Sequence, residues 1–291
     1  RGNQICGLAG MDTVAAGCVV AFAMECFENG IITEEDTGGR PIPFGDADAM
    51  IWLLEQMASR EGIGKTLGEG VKKASEIIGK GSDQFAFHIK GSELPAHDGR
   101  GKTGMAMGYA LSATGADHVE CPHDTAFMGN IDPLNPVGLL EPVEPLKSDN
   151  NKVRYFSVGQ RVWSINNCFG ICNFCSVPIH AMDFDNLVGT IKAITGWQTS
   201  LFEIMKVAER SINMSRVFNN REGFGPEDDR VIRRWHEGFK EGAHKDKPID
   251  PAEFRNALDL YYEVSGWDAN GKPTRGKLVD LNLDWLIEKA G

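Results

Sequence analysis

Leu201-Phe202-Glu203-Ile204-Met205-Lys206-Val207-Ala208-Glu209-Arg210-Ser211-Ile212, running on to Val217 and Phe218, is the stretch from which the rest of the chain is read. Leu201, Ile204, Met205, Ala208, Ile212 and Val217 fall at helical spacing, so one side of this segment is apolar and the other charged. The same signal recurs outward. On the C-terminal side it covers Asp228 to Gly242, Pro251 to Ser265 and a short helix around Leu283 to Lys289. On the N-terminal side it covers Asp183 to Thr195, with Asp183 as N-cap and Gly196 as stop, and Lys152 to Asn167. Further back, Met105 to Thr114 is a short helix of small residues, and Lys65 to Ile78 is a helix weakened by Gly68 and Gly70. Asp46 to Arg60 and Val14 to Phe27 complete the set, the last apolar nearly all round and therefore expected to be buried. Only Phe85 to Lys90 alternates like a strand. Residues 31–45, 91–104 and 129–150 read as loops. The pattern predicts a mainly α protein with very little β.

The 291 residues suffice for one large or two ordinary domains with a substantial core. A formal net charge of -11 argues against nucleic-acid or anionic-membrane partners, which require a basic face. Seven irregularly spaced cysteines do not resemble a secreted disulfide framework. No run of eighteen apolar residues occurs. These features predict a soluble cytoplasmic protein. The opening Arg1-Gly2-Asn3-Gln4 reads like a cut made inside a longer chain.

Asn167-Cys168-Phe169-Gly170-Ile171-Cys172-Asn173-Phe174-Cys175 places three thiols around a glycine. Such spacing suits iron, zinc or an iron–sulfur cluster, a redox dithiol, or plain burial. A complete four-thiolate site needs a further close ligand, and Cys6, Cys18, Cys26 and Cys121 are distant in sequence. Three further groups attract attention. Gly7-Leu8-Ala9-Gly10-Met11-Asp12-Thr13 reads as a glycine-rich turn opening a helix, with Asp12 as an N-cap or as an acceptor for a heterocycle's N–H groups. Asp117, His118, Glu120, His123 and Asp124 form a polar cluster, in which His118 suits proton transfer and the histidines with carboxylates suit a metal. Cys6 is either a buried thiol or a soft ligand for a heavy metal. Finally, residues 7–12 and 167–172 share the shape [D/N/G]-x-x-G-[L/M/I]-[D/C], as if two similar half-sites held a pair of identical ligands.

These residues resemble the tungsten- or molybdenum-dependent aldehyde:ferredoxin oxidoreductases. The matches are Gly10 to Thr13, Lys90 to Gly101, Met107 to Ser112, Gly115-Ala116-Asp117-His118, Asn167 to Phe174, Arg216 to Gly223, and Tyr261-Tyr262-Glu263 with Gly266-Trp267-Asp268, in order along the chain. The resemblance implies two pterins (tungstopterin or molybdopterin) around one metal, one per D-x-x-G-L-[D/C] motif, with Mg2+ bridging the pterin phosphates of the whole protein. Carried over, Gly10, Met11, Asp12 and Thr13 serve one pterin, and Asn167, Gly170 and Ile171 the other. Gly7 and Asn167 depart from the family's Asp. Cys172 matches one ligand of the family's [4Fe-4S] cluster; the companion C-x-x-C-x-x-x-C run is not in this sequence. His118 matches the histidine near the metal.

The resemblance further implies a fragment, inactive by itself, with 1–86 ending the second, helical domain and 87–291 forming the third. The implied reaction is oxidation of a small-molecule aldehyde to a carboxylic acid, with ferredoxin or an electron-transfer subunit as acceptor, in a homo- or hetero-oligomer. The alternative is the tungsten subunit of an ATP-independent benzoyl-CoA reductase, acting on an aryl-CoA, in which Cys6 would be a tungsten ligand. A third possibility is a helical interaction domain that has lost its chemistry.

Overall fold

The computed structural model describes residues 1–175 and 182–289. It is mainly helical, and its contacts gather into two compact units, Arg1–His97 with Thr114–Ala116, and Asp98–Ala113 with Asp117–Gly291. The first unit runs on past Ala86 to His97 and takes in the short strand pair that follows.

In the first unit, α1 (Gly2–Ala9) ends at Gly10, whose φ of 67° closes the helix in the left-handed conformation that glycine adopts at least cost. The sequence had placed an open turn here; Cys6 and Gly7 are instead helical. Asp12 then caps α2 (Thr13–Glu28), its side chain accepting the Ala15 N–H at 2.8 Å. Val19, Val20, Phe22 and Met24 of α2 share a core with Leu53, Leu54 and Met57 of α3 (Ala47–Ser59).

The single helix expected over Lys65 to Ile78 is two, α4 (Gly64–Leu67) and α5 (Val71–Ile78). Gly70, at φ 84°, breaks the run, and Glu93 Oε1 accepts the orphan N–H of Val71 at 2.9 Å. The strand expected over Phe85 to Lys90 shrinks to β1 (His88–Ile89), paired antiparallel with β2 (Ser92–Glu93). Lys90 and Gly91 both take positive φ, as a two-residue turn matched to strand twist requires. The Leu94 carbonyl after β2 accepts the Cys18 thiol of α2. Burial, then the nearby carboxylates Glu93 and Asp12, push that thiol up to about 11.

In the second unit, α6 (Thr103–Leu111) is buried along its whole length. Its glycines make room for its neighbours: a Cβ on Gly108 would lie 2.0 Å from Cys121 Sγ, and one on Gly104 would lie 2.9 Å from Asp124 Oδ1. Asp124, fully buried, accepts the N–H groups of Gly104 (3.1 Å) and Met105 (2.9 Å) at the start of α6 and the Lys152 ammonium from α7 (Asn150–Phe169). α7 packs on α9 (Leu201–Arg221) and α10 (Pro251–Ser265), and α8 (Phe184–Thr195) packs on α9. α11 (Arg275–Asp280), unforeseen in the sequence, starts at Thr274, whose hydroxyl accepts the Lys277 N–H.

The helix expected over Asp228 to Gly242 does not form; only Arg233–His236 makes a 3-10 turn. Gly238 lies against the Asp246 backbone, where a Cβ would come within 2.6 Å of Asp246 Cα, and Phe239 pairs with Lys245, so the chain doubles back instead of coiling. Leu283 to Lys289 likewise holds a 3-10 turn, Asp284–Lys289. No single described helix is long and apolar enough to cross a membrane; α1 and α2 meet that measure only as a pair bent by 118°.

Two polar knots tie the second unit together. Arg216 donates to the Gly271 carbonyl (2.6 Å) and Asp229 Oδ2 (2.6 Å), lies 4.8 Å from the Trp267 ring centroid, and shares Asp229 with the Tyr262 hydroxyl. Glu209 of α9 meets Lys277 (2.6 Å), Lys206 (3.6 Å) and Arg161 (3.7 Å). Burial alone would raise the Glu209 pKa, but the Lys277 hydrogen bond and the three cations outweigh it and bring it below the ordinary value.

A carboxylate depressed in the folded state stabilises above its unfolded pKa of about 4.3, and that stabilisation is lost as pH falls through the folded value. Glu209→Gln should therefore cost about 2 kcal/mol in urea unfolding at pH 7. The difference from wild type should shrink as pH falls below about 4. A pH-independent deficit would show that the charge is not what holds Glu209.

Candidate functional site

The two similar six-residue patterns are one local structure built twice. In the first, Gly10 is left-handed (φ 67°) and the Met11 N–H donates across it to the Cys6 carbonyl at 2.9 Å. In the second, Gly170 is left-handed (φ 66°) and the Ile171 N–H donates to the Asn166 carbonyl at 2.8 Å. Each pattern is a helix C-terminus: glycine supplies the αL residue, and the half-buried apolar residue after it seals the last turn. The next residue, Asp12 or Cys172, emerges exposed. The surface around both turns is open, since a Cβ on Gly7, Gly10 or Gly170 would meet nothing within 4 Å. Gly10, Asp12, Thr13, Asn167 and Gly170 are exposed, while Met11 and Ile171 are half-buried.

Cys168, Cys172 and Cys175 are all exposed thiols. They do not converge: among the described residues, no three His, Cys, Asp or Glu side chains come together as a metal site. Of the readings open for this stretch, burial is overturned, and a self-contained metal site is not formed by these residues. A single cluster ligand, completed by thiols from elsewhere, fits an exposed Cys172. Cys6 is a different matter. The residue is 3% exposed and packed in the apolar core of the first unit, unlike the three exposed thiols.

The structure joins the polar cluster to the cysteine turn. The Asp117 carboxylate accepts the Val119 N–H at 2.8 Å, bending the loop at His118. Asn167 donates to Glu120 Oε1, and Asn173 to the Val119 carbonyl, both at 3.4 Å. Asn173 Oδ1 in turn accepts the Asn166 side-chain N–H at 2.7 Å, while Asn166 Oδ1 is buried without a partner. That orphan acceptor, next to the second turn, is a place for a ligand's N–H.

His118 is half-buried and lies edge-on to His123, with centroids 5.9 Å apart. Lys102 Nζ stands 2.9 Å from His123 Nδ1. Burial, then the charge of Asp117, raises the Glu120 pKa. Behind Glu120 a cavity of about 40 Å³, with Ser112, Ser164 and Gln160 in its lining, has room for a few waters. Asp124 leaves the cluster, turned inward as the cap of α6. Cys121 is fully buried, its thiol pushed well up by burial and by Asp124, Glu120 and Asp117. Sequence reading missed Asn166, Asn173 and Lys102; the Asn166-Asn167 pair at a helix end was the available signal.

Each unit carries one glycine-capped turn, and the sequence as a whole matches a family model. The model described as "Aldehyde ferredoxin oxidoreductase, domains 2 & 3" covers residues 1–283, and the chain belongs to that family. The tungsten-containing aldehyde ferredoxin oxidoreductase of Pyrococcus abyssi (strain GE5 / Orsay) is 31% identical over 98% of this chain and 45% of its own length. That of Pyrococcus furiosus is 30% identical over 97% and 44%. The aliphatic sulfonate oxidoreductase WOR-like subunit of Pyrococcus furiosus is 27% identical over 94% and 40%. The chain thus spans about half the length of these relatives. Among solved structures, the active site complex BamBC of benzoyl coenzyme A reductase with 1,5-dienoyl-CoA shares the fold, with a TM-score of 0.73 at 23% identity over 96% of this chain and 45% of that one.

The exposure pattern predicts thiol chemistry directly. In metal-free native protein, a chromogenic thiol reagent should titrate Cys168, Cys172 and Cys175 rapidly. Cys6, Cys26 and Cys121, buried, should react only after unfolding. Mass spectrometry of the labelled peptides reads the result. Fast labelling of Cys6 would return it to the list of presentable metal ligands.

Proposed function

We propose that this chain is the helical part of a tungsten- or molybdenum-dependent oxidoreductase that converts aldehydes to carboxylic acids and passes the electrons to ferredoxin or an electron-transfer subunit. Its relatives carry that activity in their names. The observation that carries the reading is the repeated glycine-capped turn, which leaves Asp12 and Cys172 exposed at matching positions.

The residues fit the pterins. Gly10, Met11, Asp12 and Thr13 hold one through the open backbone after α1 and the exposed carboxylate of Asp12, which spends Oδ2 on its helix cap. Asn167, Gly170 and Ile171 hold the other, with the unpartnered Asn166 Oδ1 as a further acceptor. Asn can accept a hydrogen bond where the family has Asp; Gly7 cannot, and leaves space there instead. Cys172 would supply one thiolate to a [4Fe-4S] cluster, and Mg2+ would accompany the pterins. When bound, the metal–pterin unit takes the two electrons of the oxidation and the cluster carries them on.

The overall change, aldehyde plus water to carboxylate, releases two electrons and three protons. His118 moves one of those protons. The Asp117 turn bends the backbone on which it stands, and the hydrogen bonds of Glu120 and Asn173 tie that loop to the second turn. The second reading, the tungsten subunit of a benzoyl-CoA reductase, is supported by the shared fold with that enzyme's active site complex; Cys6, offered there as a tungsten ligand, is packed in a core.

In the full-length enzyme, His118→Asn should lower kcat by about 10²–10⁴-fold while metal content and Tm stay near wild type. A lowered Tm with kcat per bound metal unchanged would make His118 a structural residue. Cys172→Ala should abolish or alter the cluster's electron paramagnetic resonance signal and leave most of the tungsten bound. A normal signal with normal ferredoxin-linked turnover would remove Cys172 from the cluster.

A further inference from the structure

Between α7 and α9, in the second unit, lies a cavity of about 430 Å³ that the proposed chemistry does not use. This size is in the range of sites that enclose small organic molecules, roughly 300–1,000 Å³. Its walls are apolar: Val137 from the 3-10 turn Asp132–Val137, Val158 from α7, and Leu201 and Met205 from the first turns of α9. Phe202 stands at the rim, 71% exposed. Its ring borders the apolar walls and lies 5.9 Å from Lys206 Nζ.

One side of the cavity is charged, and the charge does not balance. Arg161, Lys206 and Lys277 surround Glu209, and the other described carboxylate paired with them is Asp280, 2.5 Å from Lys206. Three cations meet two carboxylates. The excess falls on Arg161, which lines the cavity together with Lys206 and Glu209. Lys277 is bound to Glu209 at 2.6 Å and Lys206 to Asp280, but Arg161 reaches Glu209 only at 3.7 Å, beyond hydrogen-bond range. Its Nε donates to the Ser157 carbonyl one turn back at 3.1 Å and its Nη2 to Ser157 Oγ at 3.5 Å, so the ligand would take the remaining Nη N–H groups of this partly exposed guanidinium. A guanidinium with open N–H groups is built to take a planar carboxylate.

The geometry points to a binding site for a small apolar monocarboxylate, aryl-substituted or aliphatic, with its carboxylate on Arg161 and its body against Val158, Leu201 and Met205. One net positive charge matches one anionic group, and the apolar walls disfavour a phosphate or a dicarboxylate, whose second charge would be buried unpaired. This assignment stands independently of the reaction proposed above. If that reaction also holds, the ligand belongs to the class of its products, and the site would let the enzyme respond to them.

The test is calorimetric titration of the enzyme containing this chain with 4-phenylbutyrate, and with the neutral 4-phenylbutyramide of the same shape. The acid should bind one-to-one, and the amide about ten-fold or more weaker. Arg161→Gln, on a partly exposed side chain that can be changed without emptying the core, should reduce acid binding to the level of the amide and leave amide binding unchanged. Phe202→Ser, at the exposed rim, should weaken both, and Tm measured on each variant guards against misfolding. No saturable binding of 4-phenylbutyrate, equal affinity for acid and amide, or binding untouched by both variants would overturn the assignment. The last outcome would place the carboxylate elsewhere on the protein.

Discussion

Asp124 is fully buried, and everything near the candidate site hangs on how its charge is satisfied. Two backbone N–H groups at the start of α6 and the Lys152 ammonium of α7 converge on one carboxylate. Moving such a pair out of water is costly, and attraction at close range offsets that cost only when every lone pair finds a donor. The helix N-terminus contributes two donors and its dipole, so the carboxylate belongs where it is. The consequence is positional. Asp124 ends the polar loop that begins at Asp117, so anchoring it fixes that loop against α6 and α7. Gly104 and Gly108 are what allow the approach, since any side chain there would strike Asp124 or Cys121.

From that anchor the polar loop reaches the end of α7. Asn167 and Asn173 bridge to Glu120 and Val119, so the histidine loop and the cysteine turn form one surface. The turn itself costs little. A glycine in αL closes a helix with two hydrogen bonds and leaves the next residue facing outward. Used once it is a common helix stop. Used twice, once in each unit, it leaves a carboxylate exposed after one helix and a thiol after the other.

The C-terminal part of the second unit is governed by a second buried charge. Arg216 gathers Asp229, Gly271, Tyr262 and Trp267, residues spread over more than fifty positions, into one contact. Burial and the charge of Asp229 push Tyr262 up to about 12, so it stays protonated and can keep donating to that carboxylate. Such networks specify a unique arrangement because each member left unpaired would be expensive. This explains why the family resemblance includes both the Arg216 stretch and the Tyr262 and Trp267 stretch, although neither lies in the proposed chemistry.

Helical period, caps and glycine stops in the sequence determined where most long helices lie, because these signals are local. The paired six-residue patterns were legible for the same reason: a left-handed glycine cap is written within one helical turn. The elements that departed from the local pattern depended on distant partners. Lys65 to Ile78 broke because Glu93, more than twenty residues on, caps the second half. Asp228 to Gly242 did not coil because Gly238 lies against Asp246, and Phe85 to Lys90 shortened because a turn at Lys90-Gly91 intervened. For the site, the sequence by itself offered residue types: thiols, histidines, carboxylates. Only the tertiary structure decided which of them face outward. It turned Asp124 and Cys121 into the interior, left Cys172 exposed, and put Cys6 in a core, because burial and charge pairing are settled by neighbours that no local pattern names.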